Sequence, residues 1–205
     1  GIKYYNVGVY IIELSKLKGI IEKIGLLAAS QVSESIKKLL FEPETVEVKT
    51  IKKTENKIDK LDVKIDEICQ RIFALQQPVA SDLRFIMSAM QISNEIERIG
   101  DLSISIVKKA KNIKEKHDLI VKFNIAAISK LVELITVKTN SCFITREGST
   151  IGEIFVLNKD IKNKCDEAVH DIINEMKVNS KAVVSGTNLI IVLKHLERIS
   201  EHCTN

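Results

Sequence analysis

A helical spacing of apolar residues limits what this chain can fold into. Between residues 58 and 75, apolar side chains recur every three or four positions, which places them on one face of an α-helix. A similar seam follows Pro78. The chain has only two Pro, eight Gly and 4% aromatic residues, so few turn residues are left from which to build a sheet. We therefore predict an all-α fold. The seam residues are Ile58, Leu61, Ile65, Ile68, Ile72 and Leu75, then Phe85, Ile92, Ile96, Ile99 and Ile106.

Breaks in the pattern divide the chain into six predicted helices. Pro43 and Pro78, with Ser81, open the second and third helices, because Pro is tolerated in the first helical turn. Long helices with short connections pack as antiparallel bundles. The predicted segments are approximately 9–41, 43–77, 78–112, 118–146, 149–178 and 180–205, with Gly148 and the Asn179-Ser180 pair as the later breaks.

An internal repeat relates the two halves of the chain. The run Glu97-Arg98-Ile99-Gly100-Asp101 returns one hundred residues later as Glu197-Arg198-Ile199-Ser200-Glu201. The third and sixth helices are therefore counterparts. We predict two tandem three-helix bundles, residues 1–114 and residues 115–205.

Composition argues against several classes of protein. The net charge is only +4 and the lysines alternate with acidic residues, which is typical of solvated helix faces and not of a nucleic-acid-binding patch. No apolar run is long enough for a membrane span, and no signal peptide is visible. The four cysteines form no CxxC pair, so we interpret them as reduced thiols and predict a cytoplasmic protein.

Sequence motifs of catalysis are missing. No phosphate-binding glycine loop, nucleophile elbow or catalytic triad pattern occurs. Glu167 and His170 form one ExxH pair, whereas a ferritin-like di-iron enzyme needs two such pairs and two further Glu. We therefore predict that the protein is not an enzyme, with a ferritin-like metalloenzyme as the alternative from another class.

A stripe of carboxylates is the strongest candidate for a functional site. Glu55, Asp59, Asp62 and Asp66 are spaced four, three and four apart, which aligns them on the second helix. The stripe lies roughly 120° from the apolar seam, on a flank of the bundle. Glu97 and Asp101 form a shorter line on the third helix.

Folding these two helices as a hairpin about Pro78 brings the lines together. Glu55 then faces Asp101, and Asp59 faces Glu97, to within a residue or two. Like charges at this distance repel unless something neutralises them. A metal ion could bind, Arg98 or a lysine could intervene, or the side chains could turn into the solvent. The spacing leaves these three possibilities open.

Two stretches resemble the signature of the PhoU family of phosphate-signalling regulators. They are Ala74-Leu75-Gln76-Gln77-Pro78-Val79-Ala80-Ser81-Asp82-Leu83-Arg84 and the following Glu97-Arg98-Ile99-Gly100-Asp101. The end of the chain, residues 196–205, resembles the second-repeat signature of the same family. The resemblance covers essentially the whole chain and implies the same fold of two tandem three-helix bundles.

The resemblance also implies a function without catalysis. PhoU-like proteins couple a phosphate ABC transporter, through its ATPase subunit, to a sensor histidine kinase, and repress phosphate uptake and the phosphate-starvation response. It therefore implies a cytoplasmic adaptor that is expected to form a homodimer. The resemblance implies no nucleic-acid partner and no insertion into a membrane. The alternative is a PhoU-like regulatory domain of another phosphate or cation transport system.

Metal sites are a further implication of the resemblance. Some members bind iron or zinc through surface E(D)xxxD motifs, and the matching positions here are Glu55 with Asp59, Glu97 with Asp101, and Glu197 with Glu201. Asp62 and Asp66 extend the set. The second half departs from the pattern, and the family's last helix would continue beyond Asn205. We therefore expect the first hairpin to bind iron, zinc or another divalent metal more tightly than the second. The departures are Ser200 for Gly, Glu201 for Asp, and Asn158, Asp160, Lys162 and Lys164 in the fifth helix.

Overall fold

The computed structural model describes residues 2–41, 48–75, 78, 80–113, 116–145 and 148–205. All secondary structure within these ranges is helical, which confirms the predicted fold class. The helices are α1 (Ile2–Leu40), α2 (Val48–Leu75), α3 (Ala80–Ala110), α4 (Lys116–Lys122), α5 (Ile125–Thr145), α6 (Ser149–Val178) and α7 (Val183–Cys203), with a 3₁₀ turn at Ser180–Ala182.

Most predicted breaks agree with the structure, but the predicted extent of the fourth helix was wrong. A continuous helix over 118–146 was expected, whereas α4 ends at Lys122 and α5 begins at Ile125. Asn124 lies between them with φ 56°, a left-handed conformation that Asn tolerates better than most residues. The break lets α4 turn back to α1, where the Lys116 ammonium donates to the carbonyl oxygens of Lys38 and Phe41. The predicted helix start at Pro43 lies outside the described residues.

Burial repeats at an offset of one hundred residues, as the sequence repeat does. Many apolar positions that are buried in α1, α2 and α3 are buried again in α5, α6 and α7, because each set of three helices closes around its own seams. The equivalent pairs include Ala28 and Ile128, Val32 and Val132, Leu61 and Ile161, Ile65 and Cys165, Ile72 and Ile172, Ile96 and Leu196, and Ile99 and Ile199.

The two halves pack against each other through α3 and α7, and through α1 and α5. One buried cluster extends across the contact, with Val32 and Ile36 of the first half packed among Ile128, Val132 and Ile199 of the second. The predicted boundary at residues 114 and 115 falls outside the described ranges. Within those ranges, no helix combines the length and the hydrophobicity that a membrane crossing requires.

Candidate functional site

The acidic stripe lies on the flank of α2 that the sequence predicted. The seam residues Ile58 and Ile65 are buried against α1 and α3, while the carboxylates one or two positions away emerge at the surface. Glu55 and Asp62 are half-buried beside α3, and Asp59 and Asp66 are exposed. Burial of the seam therefore holds the stripe along the groove between α2 and α3.

Contacts between the two acidic lines agree with the prediction at one level and differ at the next. Glu55 meets Asp101 as expected. Asp59, however, interacts across the hairpin mainly with Asp101, and Glu97 interacts more strongly with Asp62, to which it is hydrogen-bonded, than with Asp59. Side chains of a helix lean toward its N-terminus by about one position. The helices of an antiparallel pair run in opposite directions, so their side chains also lean in opposite directions. A residue on one helix therefore contacts a residue of higher number on the other than a count from the turn predicts.

Burial and the crowding of neighbouring carboxylates raise the pKa values of four of these carboxyl groups. Burial is the first cause for Glu55, Asp59, Asp66 and Glu97 alike, because it disfavours the charged form. Neighbouring carboxylates add to it, with Asp62 the main one at Glu97 and Asp59 the main one at Glu55. The carboxylates of the stripe therefore repel one another, and binding of a cation or a proton relieves this repulsion.

Few groups of the protein offset this repulsion. The ammonium of Lys108 lowers the pKa of Glu55, but less than its neighbours raise it. The hydroxyl of Ser93 donates to the Asp62 carboxylate. Arg98, the cation that the sequence suggested as a competitor, forms no ion pair with the stripe within the described residues. Among the side chains that the structure describes, no three Cys, His, Asp or Glu converge closely enough to hold one metal ion.

The equivalent place in the second half is built differently. Glu197 is buried, with only 7% of its surface exposed. The Lys194 ammonium lies 3.3 Å from the Glu197 carboxylate and 3.8 Å from that of Asp166 on α6. Burial alone would lower the pKa of Lys194, but the two carboxylates outweigh it and the pKa is raised. The second half thus contains an ion-paired triad where the first has only carboxylates.

The other predicted residues of the second half are separate from that triad. Glu201 is exposed at the surface of α7. The hydroxyl of Ser200 donates to the Asn158 side-chain oxygen over 2.8 Å, which ties α7 to α6. Asp160 pairs with Lys164 along α6 at 3.5 Å. Glu197 and Glu201 therefore do not meet a second acidic line as Glu97 and Asp101 do.

Three residues of the site, Asp166, Lys194 and Ser93, were missed in the sequence, although the first two had a visible signal. Aligning the halves at the offset of one hundred residues pairs Asp66 with Asp166 and Asn94 with Lys194, so the lysine could have been noticed. The same alignment pairs Asp62 with Lys162. The contact of Ser93 with Asp62 had no signal, because several other serines of this chain are also buried in helices and the partner of Ser93 depends on the packing of α2 on α3.

Comparison with known proteins agrees with this architecture. The model of the PhoU domain matches residues 21–110 and 125–205, once in each half of the chain. The chain belongs to the PhoU domain family. The two matches contain α2 with α3 and α6 with α7, so both the acidic stripe and the Lys194 triad lie within PhoU domains.

Relatives and solved structures cover almost the entire chain. The phosphate-specific transport system accessory protein PhoU homolog of Clostridium acetobutylicum is 28% identical over 195 residues, 94% of this chain and 88% of that protein. The homolog of Pseudomonas aeruginosa is 24% identical and covers 94% and 80%. The crystal structure of PhoU from P. aeruginosa superposes with a TM-score of 0.85 at 23% identity, covering 96% of this chain and 94% of that one. PhoU of Streptococcus pneumoniae gives 0.82 at 24% identity, covering 96% and 92%. Both structures share the fold of this chain.

Proposed function

We propose that this protein is a regulatory accessory protein of phosphate transport that represses phosphate uptake and the phosphate-starvation response. The observation that carries the proposal is the PhoU domain match in both halves of the chain. Relatives that align with 94% of the chain are named as accessory proteins of the phosphate-specific transport system. The protein would act in the cytoplasm, by contact and without turnover.

The partners that we propose are the ATPase subunit of a phosphate ABC transporter and a sensor histidine kinase. Long helices support this adaptor mechanism, because α2 and α6 each present one face to the core and leave the other exposed along their length. Exposed lysines such as Lys52, Lys60 and Lys162 make these faces partly cationic. Binding through them would weaken with salt. A homodimer is part of the same proposal.

We also propose that the acidic stripe binds a divalent or trivalent metal, such as iron or zinc. The donor set suits a hard cation, since Glu55, Asp59, Asp62, Glu97 and Asp101 all offer carboxylate oxygens. Several of these side chains are exposed and free to reorient, so their present separation does not oppose binding. When bound, the metal would supply positive charge that screens the carboxylates and clamps α2 to α3. Glu197 and Glu201 fit a metal less well, because Lys194 already neutralises Glu197.

Deletion of the gene in its host tests the regulatory proposal. We expect the deletion strain to express phosphate-starvation genes in high phosphate, and a plasmid copy of the wild-type gene to restore repression. The readout is transcript abundance in phosphate-rich and phosphate-poor medium. If phosphate regulation is intact while another phosphate or cation transport system is disturbed, the protein belongs to that other system.

A binding experiment tests the adaptor mechanism separately. The purified chain, immobilised at low salt, should retain the purified ATPase subunit and the cytoplasmic part of the kinase. Raising the salt should release both if lysine-rich faces take part. Failure to retain either protein at low salt would contradict the adaptor mechanism even if the deletion phenotype is found.

A further inference from the structure

The two halves carry different charge patterns at equivalent positions. At the offset of one hundred residues, the six carboxylates proposed to bind metal in the first hairpin have three carboxylates, two lysines and a phenylalanine as counterparts. Lys194, in place of Asn94, adds a third lysine, so three carboxylates and three lysines stand at these positions of the second half. The counterparts are, in order, Glu55 and Phe155, Asp59 and Lys159, Asp62 and Lys162, Asp66 and Asp166, Glu97 and Glu197, and Asp101 and Glu201.

Among these lysines, Lys194 is the one that contacts two of the three retained carboxylates. Its ammonium bridges Glu197 on its own helix and Asp166 on α6, at 3.3 and 3.8 Å. The counterparts of these two acids, Glu97 and Asp66, have no lysine partner in the described first half, and Asn94 is uncharged. The side chain of Glu197 is 9% exposed, so its charge would be costly without a cation beside it.

We infer that the Lys194 ammonium is a built-in cation that clamps α6 to α7, and that it substitutes in the second half for the metal that the first half takes from solution. The protein then binds metal at one hairpin, although its repeat would provide two. The part of the inference that concerns the first hairpin rests on the proposed metal binding. The part that concerns Lys194 stands on the contacts of the second half alone.

Exchanging the two residues tests both parts. Asn94→Lys gives the first half the lysine of the second, and Lys194→Asn gives the second half the asparagine of the first. Asn94→Gln and Lys194→Arg are the matched controls, since one adds length without charge and the other keeps the charge. Mn²⁺ is the probe, because carboxylate oxygens suit it, and the electron paramagnetic resonance signal of the free aqua ion gives the bound fraction by difference.

For the metal readout, we expect the wild type to bind Mn²⁺ at the first hairpin only. Asn94→Lys should weaken this binding at least tenfold, while Asn94→Gln and Lys194→Asn leave it unchanged. For the metal-free readout, Lys194→Asn should lower the melting temperature and Lys194→Arg should retain it. Asn94→Lys should raise the melting temperature without metal, because its ammonium relieves the repulsion that Mn²⁺ relieves in the wild type.

Each negative result of these experiments would contradict a different part of the inference. If the wild type binds no Mn²⁺, the proposed metal binding fails, and the metal-free melting temperatures still decide the role of Lys194. If Lys194→Asn melts at the wild-type temperature, Lys194 is not a clamp and the inference is wrong. If Asn94→Lys binds Mn²⁺ as the wild type does, a lysine at this position does not substitute for the metal.

Discussion

The imidazole Nδ1 of His202, near the end of α7, contacts the carboxylate of Glu95 on α3. The pair joins the two halves of the molecule, because α3 belongs to the first three-helix set and α7 to the second. Both side chains are largely buried, with 12% and 14% of their surfaces exposed. At the equivalent positions of the repeat stand Leu102 and His195, so this polar contact is made on one side of the α3–α7 crossing only.

We expect His202→Ala to destabilise the protein by about 1–3 kcal/mol, since it leaves the Glu95 carboxylate without its partner in a partly buried place. His170→Ala, at an exposed position on α6, is the control and should change the stability by less than about 0.5 kcal/mol. Urea unfolding of the two variants checks this. Equal stabilities would show that the contact does not hold the halves together.

Glu97→Gln should stabilise the metal-free protein at neutral pH. The folded state raises the pKa of Glu97, first by burial and then through Asp62, Asp101 and Asp59. A raised pKa means that the contribution of the group to stability is complete below its unfolded pKa of about 4.3 and is lost as the pH rises through the folded pKa. At neutral pH the ionised carboxylate therefore opposes folding.

Melting temperatures measured from pH 3 to pH 8, with a chelator present, check this prediction. The gain from Glu97→Gln should be largest at neutral pH and should disappear below about pH 4. Glu67→Gln removes one negative charge from the exposed surface of α2 outside the stripe, so it measures the effect of net charge alone. A gain that is equal at all pH values would contradict the mechanism.

Removing carboxylates should affect metal binding in the first half only. The double variant Glu97→Ala with Asp101→Ala should lose most bound metal, since it removes both carboxylates of the α3 line that faces the stripe. Glu197→Ala with Glu201→Ala should lose little. Metal analysis of protein purified without chelator, followed by calorimetric titration with zinc, provides the measurement. The reverse order would contradict the prediction, and equal retention by both variants would show that the stripe is only a solvated acidic face.

Substitution of Gly100 tests how tightly α1 packs on α3, and substitution of Gly152, at an open position, is the comparison. A Cβ at Gly100 would lie 2.9 Å from the side-chain oxygen of Gln31, which is 1% exposed and has little room to move. Gly100→Ala should therefore cost about 1–3 kcal/mol. A Cβ at Gly152, in α6, would meet nothing within 4 Å, so Gly152→Ala should stabilise by about 0.5–1 kcal/mol through helix propensity. Chemical denaturation of both variants checks the opposite signs.

Local periodicity in the sequence is enough to predict the helices of this protein, their buried faces and the relation between its two halves. The apolar spacing from Ile58 to Leu75 predicts a helix and its buried face, because that spacing is a property of one helix and needs no knowledge of its neighbours. The repeat of Glu97–Asp101 at Glu197–Glu201 predicts two related halves. The positions of Glu55, Asp59, Asp62 and Asp66 on a flank follow from the same geometry, and the structure agrees.

Only the tertiary structure decided which charged groups meet. Glu97 interacts more strongly with Asp62 than with Asp59 because side chains lean along their helices, and a count of residues from the turn ignores that lean. The bridge from Lys194 to Asp166 depends on how α6 packs on α7, and the contact of His202 with Glu95 depends on how the halves pack together. Periodicity fixes the face of a helix on which a residue lies, whereas its partner is chosen by the register and packing of another helix.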